Sequence, residues 1–238
     1  MKRNILAALL AVCVTAGMVG CDKKKAPSAS ADGDTSATKT TEEGAAPNNG
    51  TSSGGQGSKS ESLKLIEKKY ADVPEAASGP VIKISDTTAK PGEMAEVTVS
   101  VSGTEDKWSL CGIHLRYPDV LQCKLDNEEE YTADYEPGPA MKKSSGFVAM
   151  DWQINLSDEL KRDKKKSLFF TVMFSDNDGR DGDIATFYLK VPEDARPGTV
   201  YDLDYYYMES DMFRRLEEDL SFEKYAFEHL QNGSITVT

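Results

Sequence analysis

The sequence has few of the residues from which common active sites are built. Only two histidines, four cysteines and two tryptophans occur among 238 residues. There is no Gly-x-Ser-x-Gly turn, no His-Glu-x-x-His pair, no glycine-rich phosphate loop and no Cys-x-x-Cys motif. With 40 acidic residues, carboxylate pairs arise by chance and do not indicate a glycosidase. The sequence therefore predicts a protein that is not an enzyme.

Basic residues are also in deficit, and the formal net charge is -12. From Gly79 onward, 18 Lys and Arg residues stand against 31 Asp and Glu residues, so the acidity belongs to the part predicted to fold. An acidic domain repels phosphate backbones, which excludes nucleic acid as an expected partner. Solubility outside the cell and the steering of a partner are both explanations of this charge.

Apolar runs of membrane-spanning length are missing as well. The apolar run at residues 5–18 follows a basic start and is too short to span a membrane, so residues 1–20 are predicted to be a signal peptide. The run ends in Met18-Val19-Gly20-Cys21, which resembles the lipobox of bacterial lipoproteins, although Met18 stands where Leu is most common. The resemblance implies that Cys21 is acylated and that its lipid anchors the chain to a membrane. The alternative is an ordinary signal peptide with an incidental cysteine.

Residues 21–78 are dominated by Lys, Ala, Ser, Thr, Gly, Asp, Glu and Asn. Residues 26–58 have no apolar periodicity, so a flexible linker or stalk is expected there. One short helix is predicted within residues 60–70, because Leu63, Leu65 and Ile66 stand there among polar residues. The folded domain is predicted to occupy residues 79–238.

From residue 79 onward the pattern predicts an all-β domain. Apolar and polar residues alternate over residues 94–101, 113–117 and 184–191, and Gly, Pro, Asn and Asp separate the runs. Short strands separated by such turn-forming residues are typical of an antiparallel sandwich or jelly roll. Met212, Phe213, Leu216 and Leu220 recur at helical spacing, which predicts a short helical insertion near 211–220.

Four segments resemble cohesin domains in their order and spacing. They are Gly112-Ile113-His114-Leu115-Arg116-Tyr117-Pro118-Asp119-Val120-Leu121, Asp181-Gly182-Asp183-Ile184-Ala185-Thr186-Phe187, Pro197-Gly198-Thr199, and Phe227 followed by Asn232-Gly233-Ser234-Ile235-Thr236-Val237. Pro118-Asp119 departs from the Asp-Pro-Asn that cohesins usually have there. The resemblance covers residues 81–238 and implies a nine-stranded antiparallel jelly-roll β-sandwich.

The resemblance also implies a partner. Cohesins bind dockerin modules through one sheet face built from their third, fifth, sixth and eighth strands, and the calcium of such complexes belongs to the dockerin. The chain itself is therefore expected to need no cofactor or metal. A lipidated cohesin would tether a dockerin-bearing scaffoldin or enzyme at the extracellular face of the cell membrane, and would be a monomer apart from that complex.

Strand periodicity selects candidates for the partner-binding face. In the third strand, Ile113, Leu115 and Tyr117 are expected to face the core. The sixth strand, residues 167–174, is an apolar run, so either of its two faces can point outward. Phe170, Val172 and Phe174 form one outward set, and Phe169, Thr171 and Met173 form the alternative. The candidate face is Leu110, Gly112, His114, Met150, Trp152, Phe170, Val172, Phe174, Tyr205 and Tyr207. For each of these residues the alternative is plain core packing.

Two other features contain residue types that bind metals or form disulfides. Cys111 and Cys123 either form a disulfide, which would close a loop of about a dozen residues, or are two small core residues. The acidic run beginning at Asp176 fails the EF-hand pattern, because Asp181 stands where Gly belongs and Phe187 where the bidentate Glu belongs. A solvated acidic turn is the preferred interpretation.

Two further functions stay open at this point. A carbohydrate-binding β-sandwich lipoprotein is the first, with Trp108, Trp152 and the Tyr205-Tyr206-Tyr207 cluster as sugar-stacking rings. Such a platform requires exposed and coplanar aromatic rings. An adhesin-like structural module is the second, and it would have neither a ring platform nor a flat binding face.

Overall fold

Strands dominate the computed structural model, which describes residues 61–152, 158–217 and 219–238, with Trp152 described by its backbone alone. The predicted signal peptide and Cys21 lie outside these residues. All of the described residues belong to one unit, Gly55–Thr238. None of the helices among them is long and apolar enough to cross a membrane.

The described residues form short helices and strands of two to nine residues. The helices are α1 (Glu61–Lys69), α2 (Asp158–Arg162) and α3 (Leu220–Glu228), with one turn of 3-10 helix at Pro139–Met141. The strands are β1 (Val81–Ile84), β2 (Asp86–Ala89), β3 (Met94–Ser102), β4 (Leu110–Pro118), β5 (Gln122–Cys123), β6 (Leu125–Asn127), β7 (Thr132–Ala133), β8 (Tyr135–Pro137), β9 (Gly146–Trp152), β10 (Lys165–Met173), β11 (Gly182–Lys190), β12 (Val200–Tyr205), β13 (Met212–Arg214) and β14 (Gly233–Val237).

Two sheets enclose one core. The smaller sheet has the order β1-β3-β11-β5, with β8 also paired to β11. The larger has the order β2-β14-β12-β4-β10-β9-β7-β6, with β13 paired to β4. Pairing is antiparallel throughout the described strands except between β2 and β14. Alternate residues of β3, such as Val97 and Val99, meet Phe187 of β11 and Ile113 of β4 inside the sandwich. The predicted all-β jelly-roll sandwich is confirmed.

The predicted count of nine strands is wrong for the described residues, which form fourteen strand segments. Breaks in pairing divide longer runs. One example is residues 81–89, where β1 pairs with β3 in one sheet and β2 pairs with β14 in the other. The backbone N–H of Ser85, between them, still donates to the carbonyl of Thr98 at 2.9 Å. One continuous run therefore contributes to both sheets.

The helix predicted near 211–220 is misplaced. Residues 212–214 form β13, in which Phe213 pairs with Cys111 and is buried in the core. The helix is α3, which begins after Asp219, whose side chain accepts a hydrogen bond from Phe222 N at 3.1 Å. Its apolar stripe is Phe222, Ala226 and Phe227. Helical spacing of the earlier apolar residues was coincidental, since Leu216 and Leu220 are exposed.

Helix α1 packs on the sandwich, so the packed unit starts before the predicted boundary at residue 79. Ile66 and Tyr70 belong to the core cluster. The hydroxyl of Tyr70 donates to Oε1 of Glu223 at 2.6 Å, and Nζ of Lys69 lies 3.1 Å from the same oxygen. Nε of Arg214 donates to Oε2 of Glu223 at 2.5 Å. The Glu223 clasp, formed by these four residues, joins α1, β13 and α3.

No disulfide joins Cys111 and Cys123; both thiols are free and buried. Cys111 lies in β4 of the larger sheet, opposite Val172, while Cys123 lies in β5 of the smaller sheet, opposite Leu189. Burial raises the pKa of both thiols, which keeps them protonated. The interpretation as two small core residues is correct.

We expect Glu223→Gln to lower the free energy of unfolding at pH 7 by about 2–4 kcal/mol, because it removes a buried charge with three partners. Burial alone would raise the pKa of the Glu223 carboxyl, but Arg214, Tyr70 and Lys69 hold it below its usual 4.5. The stabilisation is therefore complete above pH 4.5 and is lost as the pH falls further. Urea unfolding of wild type and variant from pH 7 to pH 3 measures this.

The matched control is Glu228→Gln on the same helix, whose carboxylate lies 4.0 Å from Nζ of Lys224. Glu228 is exposed, and a pair with one exposed partner at this distance contributes at most about 1 kcal/mol. The role of the Glu223 clasp would be contradicted if both variants lost the same free energy of unfolding. It would also be contradicted if the difference in free energy of unfolding between wild type and Glu223→Gln stayed the same from pH 7 to pH 3.

Candidate functional site

The outward face of the larger sheet is defined by the pairing of β4, β10 and β9. Phe169 of β10 pairs with His114 on one side and with Met150 on the other. Their neighbours alternate into the core, where Ile113, Leu115 and Ala149 are buried. Rows of outward residues therefore cross the three strands: Gly112, Thr171 and Val148 form one row, and Leu110, Met173 and Gly146 the next.

The predicted outward set of β10 is wrong. Phe170, Val172 and Phe174 are buried in the core cluster, where Phe170 packs against the rings of Phe147 and Phe187. The alternative register is correct, because Phe169 and Thr171 are partly exposed and Met173 is 51% exposed. Apolar residues occupy both faces of this strand, so periodicity alone did not distinguish them.

On β4, the predicted orientation is right but the residues are largely covered. His114 is 7% exposed, and its Nδ1 lies 2.7 Å from Oδ1 of Asp211 in a hydrogen bond. Oδ2 of Asp211 accepts from the backbone N–H of Met208 at 3.1 Å. Gly112 is buried beside Met212, and Leu110 is partly exposed. The loop of residues 206–211 thus covers the β4 part of the face.

Burial of the Asp211 carboxyl raises its pKa, and the bonds from His114 and Met208 offset only part of that rise. The ring of His114 also lies 4.6 Å, centroid to centroid, from that of Phe169. His114 therefore fastens the loop and supports Phe169, and little of its surface is left for a partner.

On β9, Met150 is partly exposed as predicted, and Trp152 stands at a position of the same face, opposite Ser167 of β10. Val148 is 48% exposed and was missed by the sequence analysis. The signal was present, since Val148 precedes Met150 by two residues and strand periodicity places both on one face. We call the exposed group Val148, Met150, Phe169, Thr171 and Met173 the β9–β10 patch.

Tyr205 and Tyr207 do not lie on this face. Tyr205 pairs with Leu115 and packs against the core cluster. Tyr207 is buried, and its ring meets that of Phe227 edge to face at 5.0 Å. The outward residue of β12 at this level is Asp204, which pairs with Arg116. The aromatic residues of this region serve packing.

A charged cluster around Arg116, near the C-terminal end of β4, borders the outward face. The Arg116 guanidinium donates to Asp204 from Nε at 2.7 Å and from Nη2 at 2.9 Å. Its Nη1 lies 3.6 Å from both Glu159 and Asp163, at the α2 end. The hydrogen bond to Asp204 is the largest cause of the raised pKa of Arg116. The cluster fixes α2 and β12 to β4.

The acidic run of residues 175–183 forms a loop that is held to the rest of the domain by hydrogen bonds. Asp181 accepts hydrogen bonds from the backbone N–H groups of Gly103 and Thr104 at 2.9 and 3.0 Å. The indole of Trp108 is fully buried, donates to the carbonyl of Arg180 at 3.0 Å and packs flat on Gly179, which leaves no room for a side chain there. No cluster of metal-ligating residues occurs anywhere in the described parts of the chain.

The rings proposed for sugar stacking do not form a platform. Trp108, Tyr206 and Tyr207 are buried, and Tyr205 is packed against the core. The side chain of Trp152 lies outside the described residues. No observation among the described residues favours a carbohydrate site.

No protein-family model matches the chain, and no curated protein matches it. Among solved structures it is similar to a type III cohesin module from the cellulosomal cell-surface anchoring scaffoldin ScaE of Ruminococcus flavefaciens. The identity is 25% and the TM-score 0.56, over 68% of this chain and 88% of that one.

Two further solved structures are less similar. The seventh ScaB type I cohesin of Pseudobacteroides cellulosolvens is 22% identical with a TM-score of 0.47, over 67% of this chain and 92% of that one. A chain of a type I cohesin–dockerin complex from Clostridium thermocellum is 16% identical with a TM-score of 0.47, over 67% and 99%.

We expect Asp211→Ala to lower the free energy of unfolding by about 2–4 kcal/mol, because it leaves Nδ1 of His114 buried without its hydrogen-bond partner and the N–H of Met208 without its acceptor. Hydrogen exchange of residues 206–213 should become faster, since Met208 N–H loses its acceptor. The control is Glu209→Ala in the same loop, which is exposed and should change stability by less than about 0.5 kcal/mol. Unchanged exchange in the loop would show that Asp211 does not hold it.

Proposed function

Because the folded part of this chain is a cohesin domain, we propose that it binds a dockerin module through the β9–β10 patch. A cohesin is a non-catalytic protein–protein interaction module, and the domain is accordingly not an enzyme. The dockerin supplies its own calcium, and the domain supplies a preformed surface. Strand β10 is hydrogen-bonded along both edges, by β4 and β9, and β9 pairs in turn with β7 at Met150.

The observation that carries the proposal is the exposure of large apolar side chains on the outward face of the larger sheet. Val148 is 48% and Met173 51% exposed, on neighbouring strands of the larger sheet. Met150 and Phe169 lie between them and the charged cluster at Arg116. An antiparallel sheet with one face in water usually carries polar residues on that face. Contiguous exposed apolar side chains instead mark an interaction surface.

The types of residue in the β9–β10 patch suit a protein partner. Met adapts its shape to irregular surfaces, and aromatic residues anchor many interfaces. The strands that carry the patch are fixed by their registers with β4 and with each other. Little ordering is required on the cohesin side, which favours tight binding.

The N-terminal residues extend the proposal to location. Residues 1–20 are proposed to be a signal peptide, Cys21 the lipidated residue, and the polar residues that follow a linker between membrane and domain. The domain would then hold a dockerin-bearing scaffoldin or enzyme at the cell surface. All of these residues lie outside the described part of the chain, and the proposal for them rests on the sequence.

We expect the protein to bind one or more members of a dockerin panel in calorimetry with calcium and to lose that binding in EDTA, because the dockerin loops fold around calcium. Val148→Asp and Met173→Asp should each weaken this binding at least about tenfold, since each buries a charge at the centre of the interface.

The controls are Val120→Asp and Met94→Asp, whose side chains are equally exposed but lie in a turn and on the smaller sheet. They should leave binding within about twofold. Equal weakening by the patch and control variants, or no binding across a broad panel, would refute the proposed function.

We expect Cys21→Ser to move the protein from the membrane fraction to the soluble exported fraction when it is produced in a bacterium that lipidates lipoproteins. Mass spectrometry of the wild-type protein should show diacylglycerol on a mature chain that begins at Cys21. Folding and dockerin binding should be unchanged. A wild-type protein that is exported without lipid would contradict the anchor and leave the dockerin proposal intact.

A further inference from the structure

The covered part of the face shifts the exposed surface towards one edge of the larger sheet. Along one row, Gly112 on β4 is buried, Thr171 on β10 is partly exposed, and Val148 on β9 is 48% exposed. The loop held by Asp211 causes this gradient. A partner is therefore displaced away from β4 and towards β9 and the strand beyond it.

The strand beyond β9 is β7, and the β6–β7 hairpin continues the surface. Thr132 of β7 pairs with Met150, so it stands in the same outward row as a residue of the β9–β10 patch. The carbonyl of Tyr131, next to it, accepts from the backbone N–H of Asp151 at 2.8 Å. Tyr131 is 44% exposed and has a positive φ of 54°. The backbone of an exposed aromatic residue is thus fixed at the border of the patch.

The turn of the hairpin is acidic and ordered. Oδ1 of Asn127 accepts from the backbone N–H groups of Glu129 and Glu130 at 2.9 and 3.3 Å. Glu128, Glu129 and Glu130 are exposed, and none of them forms an ion pair with any residue in the described part of the chain. The turn therefore presents uncompensated negative charge beside an exposed apolar surface.

We infer that the dockerin-binding surface extends from the β9–β10 patch onto the β6–β7 hairpin, and that it selects dockerins with lysine or arginine next to their apolar contact residues. This inference rests on the proposed function and specifies the partner. Tyr131 supplies an aromatic contact at the border, and the three glutamates attract and orient the basic side chains. Complementary charge at a rim acts mainly on the association rate and on the choice of partner.

The test compares two triple variants that change the net charge equally. Glu128→Gln/Glu129→Gln/Glu130→Gln neutralises the turn. Glu96→Gln/Glu136→Gln/Glu193→Gln neutralises three exposed carboxylates on the side of the smaller sheet. Association with a dockerin bound by the wild-type protein is measured by stopped flow between about 0.01 M and about 0.15 M salt, where the Debye length falls from about 30 Å to about 8 Å.

We expect the turn variant to lower the association rate constant about tenfold at low salt, to lose most of the salt dependence and to change dissociation little. The control triple should change the rate by less than about twofold. Glu129→Lys should weaken binding, and replacing the facing lysine or arginine of the dockerin by glutamate should restore it. Hydrogen exchange of the complex should show protection of residues 128–132 and 146–151.

The outcomes separate this inference from the proposed function. Equal effects of the two triple variants would show steering by net charge alone and would overturn the inference. An association rate constant that is unchanged in the turn variant, together with no protection of residues 128–132 in the complex, would also overturn the inference. Dockerin binding itself would then remain established. If no dockerin binds the wild-type protein, the proposed function fails and this inference fails with it.

Discussion

Strand β4 is hydrogen-bonded along both edges, by β10 over its whole length on one side and by β12 and then β13 on the other. Its alternating side chains are fixed by these pairs, with Ile113 and Leu115 in the core and His114 outward. Between β12 and β13 the chain leaves the sheet, and Asp211 returns to bind His114. The exposed apolar side chains of this face therefore lie mainly on β10 and β9, and the location of the candidate site follows from this.

Much of the fold was predictable from the sequence, because in a strand with one polar face the alternation of apolar and polar residues indicates which side is buried. Residues 94–101 and 113–117 alternate, and the structure buries the expected side. The cohesin resemblance, carried by turn motifs, is confirmed. The helix was misplaced because four apolar residues matched helical spacing by coincidence. In fact Phe213 is buried as a strand residue, and Asp219, seven residues beyond Met212, caps the start of the helix.

The binding face was only partly predictable, for a physical reason. A strand that is apolar on both sides, such as β10, gives no periodicity, and only its pairing with His114 and Met150 shows that Phe169 points outward. Tyr205 and Tyr207 looked like anchors because aromatic residues suit interfaces and cores equally well. The β6–β7 hairpin had no motif at all. Its position beside Met150 depends on long-range pairing, which local sequence does not encode.

The Glu223 clasp has a mechanical consequence. Helix α1 is the first described element from the N-terminal side, and it is joined to α3 and β13 through Tyr70, Lys69 and Arg214. In a chain that is tethered at its N-terminus, a pulling force on the domain is applied to α1 before it reaches any strand. The bonds to the Glu223 carboxylate must then break before β1 can be peeled from β3. In such a tethered chain, the force that the domain withstands would therefore depend in part on one buried charge.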